Sequence, residues 1–416
     1  MRPDARETTV DTPLVSISIP SYNHARWLPQ AIDSVLAQTY ENIELVIVDD
    51  GSTDESLGIA EGYAGRHPDK IRVFTHDRGE NRGISATCNR AIAECRGKYW
   101  AGLPSDDLIL PNKIESQLAI LEARPNDAFV WGQSQAIDED GRPLSEHGPL
   151  GRGLPQRGRA LDLLLRENPI YGQTPLVRRS ALDQLADDVF PVDVVAQDWY
   201  LWIRLVARFS ATYVPEVVAK FRVHPASTSW SARREDHVRW HLQVLERVRS
   251  EAATIGGGLR RTRTLGFLHM QIALNHFALG EPDAAQSSIR EALGVLKGKP
   301  LAASAVLASY CLAPQTVGED AAFADFLLTK LGKPLNDLVS SRHVRGLALA
   351  RAAVLARHEG TRKNGLGGAL AALAAYPLLL RERSLAGAIK HGLYAGRKPT
   401  SARGSANPPT DDAERV

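Results

Sequence analysis

The chain has 416 residues and a formal net charge of +2 at pH 7, a balance that gives no sign of a nucleic-acid partner. Its 44% hydrophobic and 24% charged residues are ordinary for a soluble globular protein. No run of about 18 or more apolar residues predicts a membrane-spanning helix. Cys88, Cys95 and Cys311 lack the spacing of a metal site, and Cys88 and Cys95, seven residues apart on one predicted helix, indicate buried thiols. The length exceeds one typical core, so we predict two domains. The small number of cysteines suits a reducing cytoplasm, so we also predict a cytoplasmic protein.

The first half of the chain alternates strand and helix signals. The predicted strands are residues 14–19, 43–48, 71–74 and 99–103, and the predicted helices are residues 27–36, 85–95 and 111–123. Residues 43–48 are almost wholly apolar, as expected for a strand that is buried on both faces. This strand–helix rhythm predicts a doubly wound, Rossmann-like α/β fold with a mostly parallel sheet flanked by helices.

Strand signals weaken beyond residue 128 and then stop. The predicted elements there are a strand (129–137), a Gly- and Pro-rich loop or mobile lid over the substrate face (148–158), a helix (199–209) and two short strands hinged at Pro215 (214–223). We therefore predict a disordered N-terminus (1–13), an α/β domain (14–232), an all-α C-terminal region (235–396) and a disordered tail (398–416).

Two features of the helical region leave alternatives open. Small residues have the spacing of the second part of a tetratricopeptide repeat, namely Ala273, Gly280, Ala285, Ile289 and Ala292. They indicate either a repeat that binds a protein partner or simple close packing of helices. Residues 365–380 are Ala-rich and flanked by basic residues, so they indicate either a packed helix or peripheral contact with a membrane.

Three short acidic segments stand out against this framework: residues 48–52 (VDDGS), 105–107 (SDD) and 197–199 (QDW). The first two follow predicted strands, and ligands of open α/β sheets bind outside the carboxyl ends of the strands. Carboxylates there repel a phosphate unless a cation lies between them, so a metal bridging protein to diphosphate is the favoured interpretation. The third segment supplies a carboxylate that can act as a general base.

These segments, with others in the same order and spacing, resemble glycosyltransferase family 2. The further segments are residues 17–23 (ISIPSYN), 34–40 (SVLAQTY), 81–83 (NRG), 97–99 (GKY) and 221–224 (FRVH), and the resemblance covers about residues 14–229. It implies the GT-A fold, a nucleotide-sugar co-substrate, a divalent cation (Mn2+ or Mg2+) and inversion at the anomeric carbon. It also implies a saccharide or lipid-linked acceptor, and with it transient contact with the inner face of the plasma membrane.

The resemblance also suggests roles for individual residues. Those expected to bind the nucleotide sugar are Pro20, Tyr22, Asn23, Asp49, Asp50, Arg82, Ser105, Asp107 and Arg222. Those expected at the metal are Asp106 and His224, Asp198 is the expected general base, and Gln173 and Thr174 are expected acceptor contacts. Two positions depart from the family pattern: Pro104 replaces a frequent Asp before Ser105, and Gln197 replaces a frequent Glu before Asp198.

Structural interpretations compete with several of these roles. Asp50 could serve only a turn, Asp107 and Asp198 could cap helices, Trp199 could be core rather than an acceptor platform, and His224 could satisfy a local hydrogen bond. Two other classes of protein also remain. A nucleotidyltransferase would carry a basic, Gly-rich loop where this chain has residues 20–24 (PSYNH). A non-catalytic scaffold would have a degenerate sheet domain and a helical tail that binds protein.

Overall fold

The computed structural model describes residues 12–144, 151, 153, 160–185, 188–228, 232–255, 257, 262–297 and 306. The chain divides into two compact units, Met1–Leu296 and Lys297–Val416, and every element below belongs to the first. The predicted disordered tail, the Ala-rich segment 365–380 and most of the predicted loop 148–158 lie outside the described residues.

The described residues form one eight-stranded sheet with helices packed around it. In chain order the strands are β1 (Val15–Ser21), β2 (Ile43–Asp49), β3 (Ile71–Thr75), β4 (Tyr99–Gly102), β5 (Leu108–Ile109), β6 (Asp127–Ile137), β7 (Leu176–Arg178) and β8 (Ser210–Arg222). The helices are α1 (Leu28–Leu36), α2 (Ser56–Arg66), α3 (Ile84–Glu94), α4 (Lys113–Ala123), α5 (Ala160–Leu164), α6 (Arg179–Leu182), α7 (Gln197–Arg208), α8 (Arg234–Ser250), α9 (Ala252–Ile255), α10 (Thr262–Ala278) and α11 (Pro282–Leu296).

The strand order is β3-β2-β1-β4-β7-β6-β8-β5. Only β7 and β5 run against the other strands, as their antiparallel pairings show. The α/β fold class with a mostly parallel sheet is therefore confirmed. The parallel half places the carboxyl ends of β1, β2 and β4 side by side, which is where such sheets bind ligands.

The central strands lie in the core because both of their faces are covered. All residues of β2 are buried, and Ile17 and Ile19 of β1 have no exposed surface. Helix α1 adds Leu28 and Ile32 to the same cluster. Burying each of these side chains stabilises the fold by roughly 1.5–3 kcal/mol, so this core fixes the strand ends that carry the acidic residues.

The pairing of β8 with β6 differs from the prediction of two short strands hinged at Pro215. The strand is continuous, and its register shifts between the pairs Trp131–Tyr213 and Gln133–Val217. Proline lacks the N–H that a regular ladder needs and is tolerated at bulges. The irregularity around Pro215 thus lets the strand continue toward the site instead of ending.

The helices after β8 confirm the predicted helical region as far as residue 296. Helices α10 and α11 pack closely because Gly266 has no side chain: a Cβ there would lie 2.7 Å from a methyl carbon of Leu296. Ala285, Ile289 and Ala292 are buried in α11, which agrees with close packing. None of the helices in the described part of the chain has both the length and the apolar character needed to cross a bilayer.

Gly51 follows β2 in a conformation that a side chain would disrupt. Its φ is +73°, and a Cβ would lie 2.5 Å from the carbonyl oxygen of Gly79 and 2.9 Å from the amide nitrogen of Asn81. We expect Gly51→Ala to lower the free energy of unfolding by about 2–4 kcal/mol, measured by urea denaturation, because strain and a backbone clash add.

Gly79→Ala is the matched control for this variant. Gly79 has a φ of +66°, but a Cβ there would meet no atom within 4 Å. Only the backbone strain applies, so the expected loss is about 1 kcal/mol. Equal losses for the two variants would show that the close approach of Gly51 to the neighbouring loop has no energetic weight.

Candidate active site

The ends of β1 and β2 are tied together by hydrogen bonds. The amide N–H of Asp50 donates to the carbonyl of Ser21 at 2.8 Å. Asn23, whose φ of +53° turns the chain sharply, donates its amide N–H to Ser52 Oγ and accepts the amide N–H of Thr53 through Oδ1. Two strand ends thus form one rigid edge, and Asn suits this turn because it tolerates the left-handed region.

Asp49 and Asp50 are both buried and both accept hydrogen bonds. Asp49 accepts the amide N–H and the hydroxyl of Ser52, so the turn after β2 is held by Asp49. Asp50 accepts the amide N–H groups of Arg82 at 2.6 Å and Gly83 at 3.0 Å, which join the end of β2 to the start of α3. Each carboxylate oxygen has two lone pairs, so Asp50 keeps acceptor capacity for a ligand.

Exposed side chains surround this edge. Tyr22 is 45% exposed, and Asn23 and Arg82 are also exposed. Pro20 is partly exposed at the end of β1, where it pairs with Val48. These residues lie where the sequence predicted a nucleotide to bind, and their ligand contacts stay predictions.

A second group of polar side chains gathers beyond β4 and β8. One ring nitrogen of His24, one of His224 and a carboxylate oxygen of Asp106 all lie within 4.8 Å of one another. His224 Nε2 is 2.9 Å from Asp106 Oδ2. Imidazole nitrogen and carboxylate oxygen together suit divalent ions such as Mn2+. Asp106 and His224, the two residues expected at a metal, are therefore neighbours, and His24 was not predicted.

The surroundings of His24 and His224 orient both rings. His24 Nδ1 is 2.7 Å from Ser105 Oγ, and the ring of Trp27 lies on that of His224 with centroids 4.1 Å apart. Burial lowers the pKa of His24, an effect that the nearby charge of Asp106 opposes. Burial therefore favours the neutral imidazole, the form that ligates a metal. Ser105 acts here by holding His24.

Arg222 is completely buried behind Asp106, and its side chain donates hydrogen bonds to protein oxygens. Its Nε donates to the carbonyl of Asp106 at 2.8 Å, and its terminal nitrogens donate to the carbonyls of Asp138 and Glu139 and to Gln30 Oε1. These bonds hold the loops after β4 and β6 against α1. A phosphate contact by Arg222 would have to replace one of them, so we assign it a positioning role.

Asp107 is likewise buried and faces Arg222. It accepts the amide N–H of Arg222 at 2.8 Å. Burial raises the pKa of Asp107, and the adjacent charge of Asp106 raises it further. The alternative that Asp107 caps α4 is wrong, since Asn112 precedes that helix. Asp107 fixes the end of β8 beside Asp106, and this keeps His224 within hydrogen-bonding distance of Asp106.

Asp198 lies in the first turn of α7. It is not the helix N-cap, because Ala196 occupies that position. Its carboxylate accepts the amide N–H of Trp199 at 2.7 Å, and the side-chain amide of Asn168 lies 3.4 Å away. It keeps partial solvent access, yet protein surrounds it on most sides and burial raises the pKa of Asp198 to about 6. A carboxylate of this basicity suits proton abstraction near neutral pH.

Cys88 is held as a neutral thiol. The pKa of its thiol is raised to about 12 by burial and, further, by the negative charges of Asp198 and Asp50. Cys88 lies in α3, whose first turn follows the amides that bind Asp50. Asn89 in the same helix bonds to the backbone of Phe190, which lies on the loop that leads to Asp198.

Other predicted contacts are buried in the protein. Trp199 is 7% exposed, donates from Nε1 to the carbonyl of Leu164 and packs on His241, so the core interpretation holds. Gln173 and Thr174 are also buried, and Gln173 donates to Ser134 Oγ. In this conformation neither offers an open surface for an acceptor.

Comparison with known proteins agrees with these features. Residues 16–185 match the family model described as Glycosyl transferase family 2. An uncharacterized glycosyltransferase of Rickettsia typhi is 36% identical over 223 residues, which cover 53% of this chain and 67% of that protein. The chain belongs to glycosyltransferase family 2. The fold class observed above agrees with the GT-A fold that this family implies.

Longer relatives and solved structures are also similar. The chain covers only 42% of an uncharacterized glycosyltransferase of Rickettsia felis (35% identical) and 40% of one of Rickettsia bellii (33% identical), matching 62% and 66% of its own length. A Pyrobaculum calidifontis mannosyltransferase solved with GDP-Man and Mn2+ has a TM-score of 0.46 and 19% identity, covering 79% of this chain and 88% of that one. S. aureus TarS 1–349 with UDP-GlcNAc has a TM-score of 0.47 and 16% identity, covering 86% and 91%.

Proposed function

We propose that this family 2 chain is an inverting, metal-dependent glycosyltransferase. It moves a sugar from a nucleotide sugar, a UDP-sugar by preference, to a hydroxyl group of an acceptor in polysaccharide or glycoconjugate synthesis. The observation that carries the proposal is the group formed by Asp106, His224 and His24 at the carboxyl edge of the sheet, because it can hold a cation where the family binds its donor diphosphate.

The donor is bound by the edge formed by β1 and β2. The base and ribose lie against Pro20, Tyr22 and Asn23, and Asp50 accepts a hydrogen bond from them. Arg82 is exposed beside Asp50 and supplies positive charge toward the diphosphate. Asp49 holds the turn that shapes this edge.

The metal-ligating residues are suited to the cation that the family implies. Asp106 and His224 hold it, and when bound it neutralises the negative charge that grows on the departing diphosphate. Arg222 and Asp107 keep these ligands in place from behind. Ser105 orients His24 from the same loop.

Asp198 is the general base. Inversion requires a group that removes the proton of the acceptor hydroxyl as its oxygen attacks the anomeric carbon opposite the leaving group. The carboxylate with a pKa of about 6 is largely ionised at neutral pH and is a stronger base than an ordinary Asp. The two hydrogen bonds from Trp199 and Asn168 leave it oriented but not enclosed.

The acceptor side carries a feature that supports a lipid-linked acceptor. Val192 is 72% exposed and Val195 is 45% exposed on the loop that leads to Asp198. The side chain of Asn89 in α3 anchors this loop through two hydrogen bonds to the backbone of Phe190. Exposed apolar side chains beside a proposed base suit a lipid carrier. Such an acceptor would bring the enzyme transiently to the inner face of the plasma membrane.

The proposed function can be tested without knowing the acceptor. UDP, GDP and dTDP are titrated into the full chain by calorimetry, with Mn2+ and with a chelator, and the matching nucleotide sugars are assayed for release of the nucleoside diphosphate, with water as the acceptor. We expect one nucleotide to bind in a Mn2+-dependent manner and its sugar derivative to be consumed. If no nucleotide binds under either condition, the chain is a scaffold and the proposal is wrong.

A further inference from the structure

We propose that His24 is a third protein ligand of the cation, so that Asp106, His224 and His24 bind the ion before any nucleotide arrives. This inference rests on the proposed function and deepens it. An ion held by Asp106 and His224 alone would depend on water and on the phosphates of the donor to complete its shell. Three protein ligands, two of them imidazoles, instead form a site that exists in the free enzyme.

The distances between the ligand atoms fit a single ion. Bonds of about 2.0–2.2 Å place two ligand atoms of one ion roughly 3 to 4.4 Å apart. His224 Nε2 and Asp106 Oδ2 are 2.9 Å apart, and the whole set lies within 4.8 Å. Asp106 and His24 are partly exposed, so their side chains have room to adjust toward a bound ion.

The hydrogen bonds select the nitrogen that faces the ion. His24 Nδ1 is bonded to Ser105 Oγ, so we assign Nε2 as the nitrogen that binds the metal. A metal-ligating histidine commonly bonds through its other ring nitrogen to a fixed protein group, and this bond sets the tautomer. His224 is fully buried with Nε2 toward Asp106, while its Nδ1 has no hydrogen-bond partner among the described residues. Trp27 packs on the His224 ring and holds it in that orientation.

A structural alternative makes a different prediction. If His24 only satisfies Ser105 and His224 only pairs with Asp106, the free enzyme has no reason to hold an ion. Two nitrogen ligands with one carboxylate predict measurable affinity for Mn2+ or Co2+ and weaker affinity for Mg2+, because imidazole suits transition metals and Mg2+ takes oxygen ligands.

The test measures Mn2+ binding to the full chain in the absence of nucleotide, through the loss of the free Mn2+ EPR signal. We expect His24→Gln to weaken binding by about 100-fold or more and Ser105→Ala by about tenfold, as for loss of an outer-shell partner. The control is His237→Gln, which removes an exposed imidazole in α8 that packs on Trp240, and which should leave binding unchanged.

A second readout separates ligation from folding. With Co2+ in the free enzyme, His24→Gln should change the visible absorption of the bound ion, and circular dichroism should show an intact fold. Ser105→Ala leaves His24 in place, so it still tests the inference if the His24→Gln variant does not fold. Unchanged Mn2+ affinity in His24→Gln, or no Mn2+ binding by the unaltered chain without nucleotide, overturns this inference. Metal-dependent nucleotide binding would then still support the proposed function.

Discussion

Asp198→Asn is expected to lower kcat for sugar transfer by about 10²–10⁴-fold while leaving nucleotide binding nearly unchanged. Asparagine keeps an oxygen that can accept the amide N–H of Trp199, so the start of α7 should not move. It cannot take up the proton of the acceptor hydroxyl. Calorimetry with the nucleoside diphosphate and Mn2+, combined with steady-state kinetics, separates the two effects.

The raised pKa of Asp198 gives this prediction a pH signature. Burial raises the pKa to about 6, so kcat/KM should fall as the pH drops below about 6, where the base becomes protonated. The remaining activity of Asp198→Asn should lack this dependence. A pH profile of kcat/KM for both proteins between pH 5 and 8 shows whether the fall in kcat/KM at low pH is caused by protonation of Asp198.

The same shift predicts an effect on stability. An acid whose pKa is higher in the folded protein than in the unfolded chain destabilises the fold once the pH rises through that interval, here from about 4 to about 6. Asp198→Asn should therefore raise the free energy of unfolding by about 1–3 kcal/mol at pH 7.5 and by little at pH 4. Urea denaturation at the two pH values measures the difference.

Asp193→Asn is the control for these experiments. Asp193 lies on the same loop, but its side chain is 61% exposed and pairs with Arg247 at the surface. We expect its activity within about twofold of the unaltered protein, as is usual for an exposed ion pair. Equal loss of transfer and nucleotide binding in Asp198→Asn would contradict its role as the base.

Asp106→Ala is expected to abolish metal-dependent donor binding and to reduce kcat/KM by at least about 10³-fold. The variant removes the only carboxylate in the group with His24 and His224, so the ion loses its anionic ligand. Nucleotide affinity measured by calorimetry should become the same with Mn2+ as with a chelator. Full activity of this variant in the presence of a chelator would show that no metal acts there.

Asp69→Ala is the corresponding control. Asp69 is exposed just before β3, at the amino end of the strand and thus at the opposite edge of the sheet from Asp106. Its removal changes the net charge by the same amount as Asp106→Ala. We expect no loss of Mn2+ dependence, which excludes a simple effect of overall charge.

The sequence was most informative where one strand carried its own signal. Residues 43–48 are almost wholly apolar, and they form β2, buried along its whole length. Strand β7 was not predicted, because three residues show no periodicity and only tertiary contacts place it between β4 and β6. The continuity of β8 across Pro215 was also missed, because a bulge depends on the partner strand.

In the candidate site, too, residues with a local sequence signal were predicted, and residues that depend on tertiary contacts were not. The strand-end rule located Asp50 and Asp106, and the resemblance to the family located Asp198. His24 was missed because Ser105 lies 81 residues away in the chain, and nothing local marks the pair. Arg222 alternates with His224 along the chain and was assigned to phosphate, but the loops around it supply enough carbonyls to occupy its guanidinium. The carbonyl groups around Arg222 come together only in the folded protein, so the sequence could not predict these hydrogen bonds.

The most direct test of the proposed active site is anomalous diffraction. Crystals of the full chain are grown with Mn2+ and with the nucleoside diphosphate that binds the protein. We expect one Mn2+ peak bound by Asp106 and His224, with the diphosphate on the ion and the carboxylate of Asp198 facing the same cleft. A nucleotide bound elsewhere, or an Asp198 that points to a different surface, would contradict the proposed chemistry.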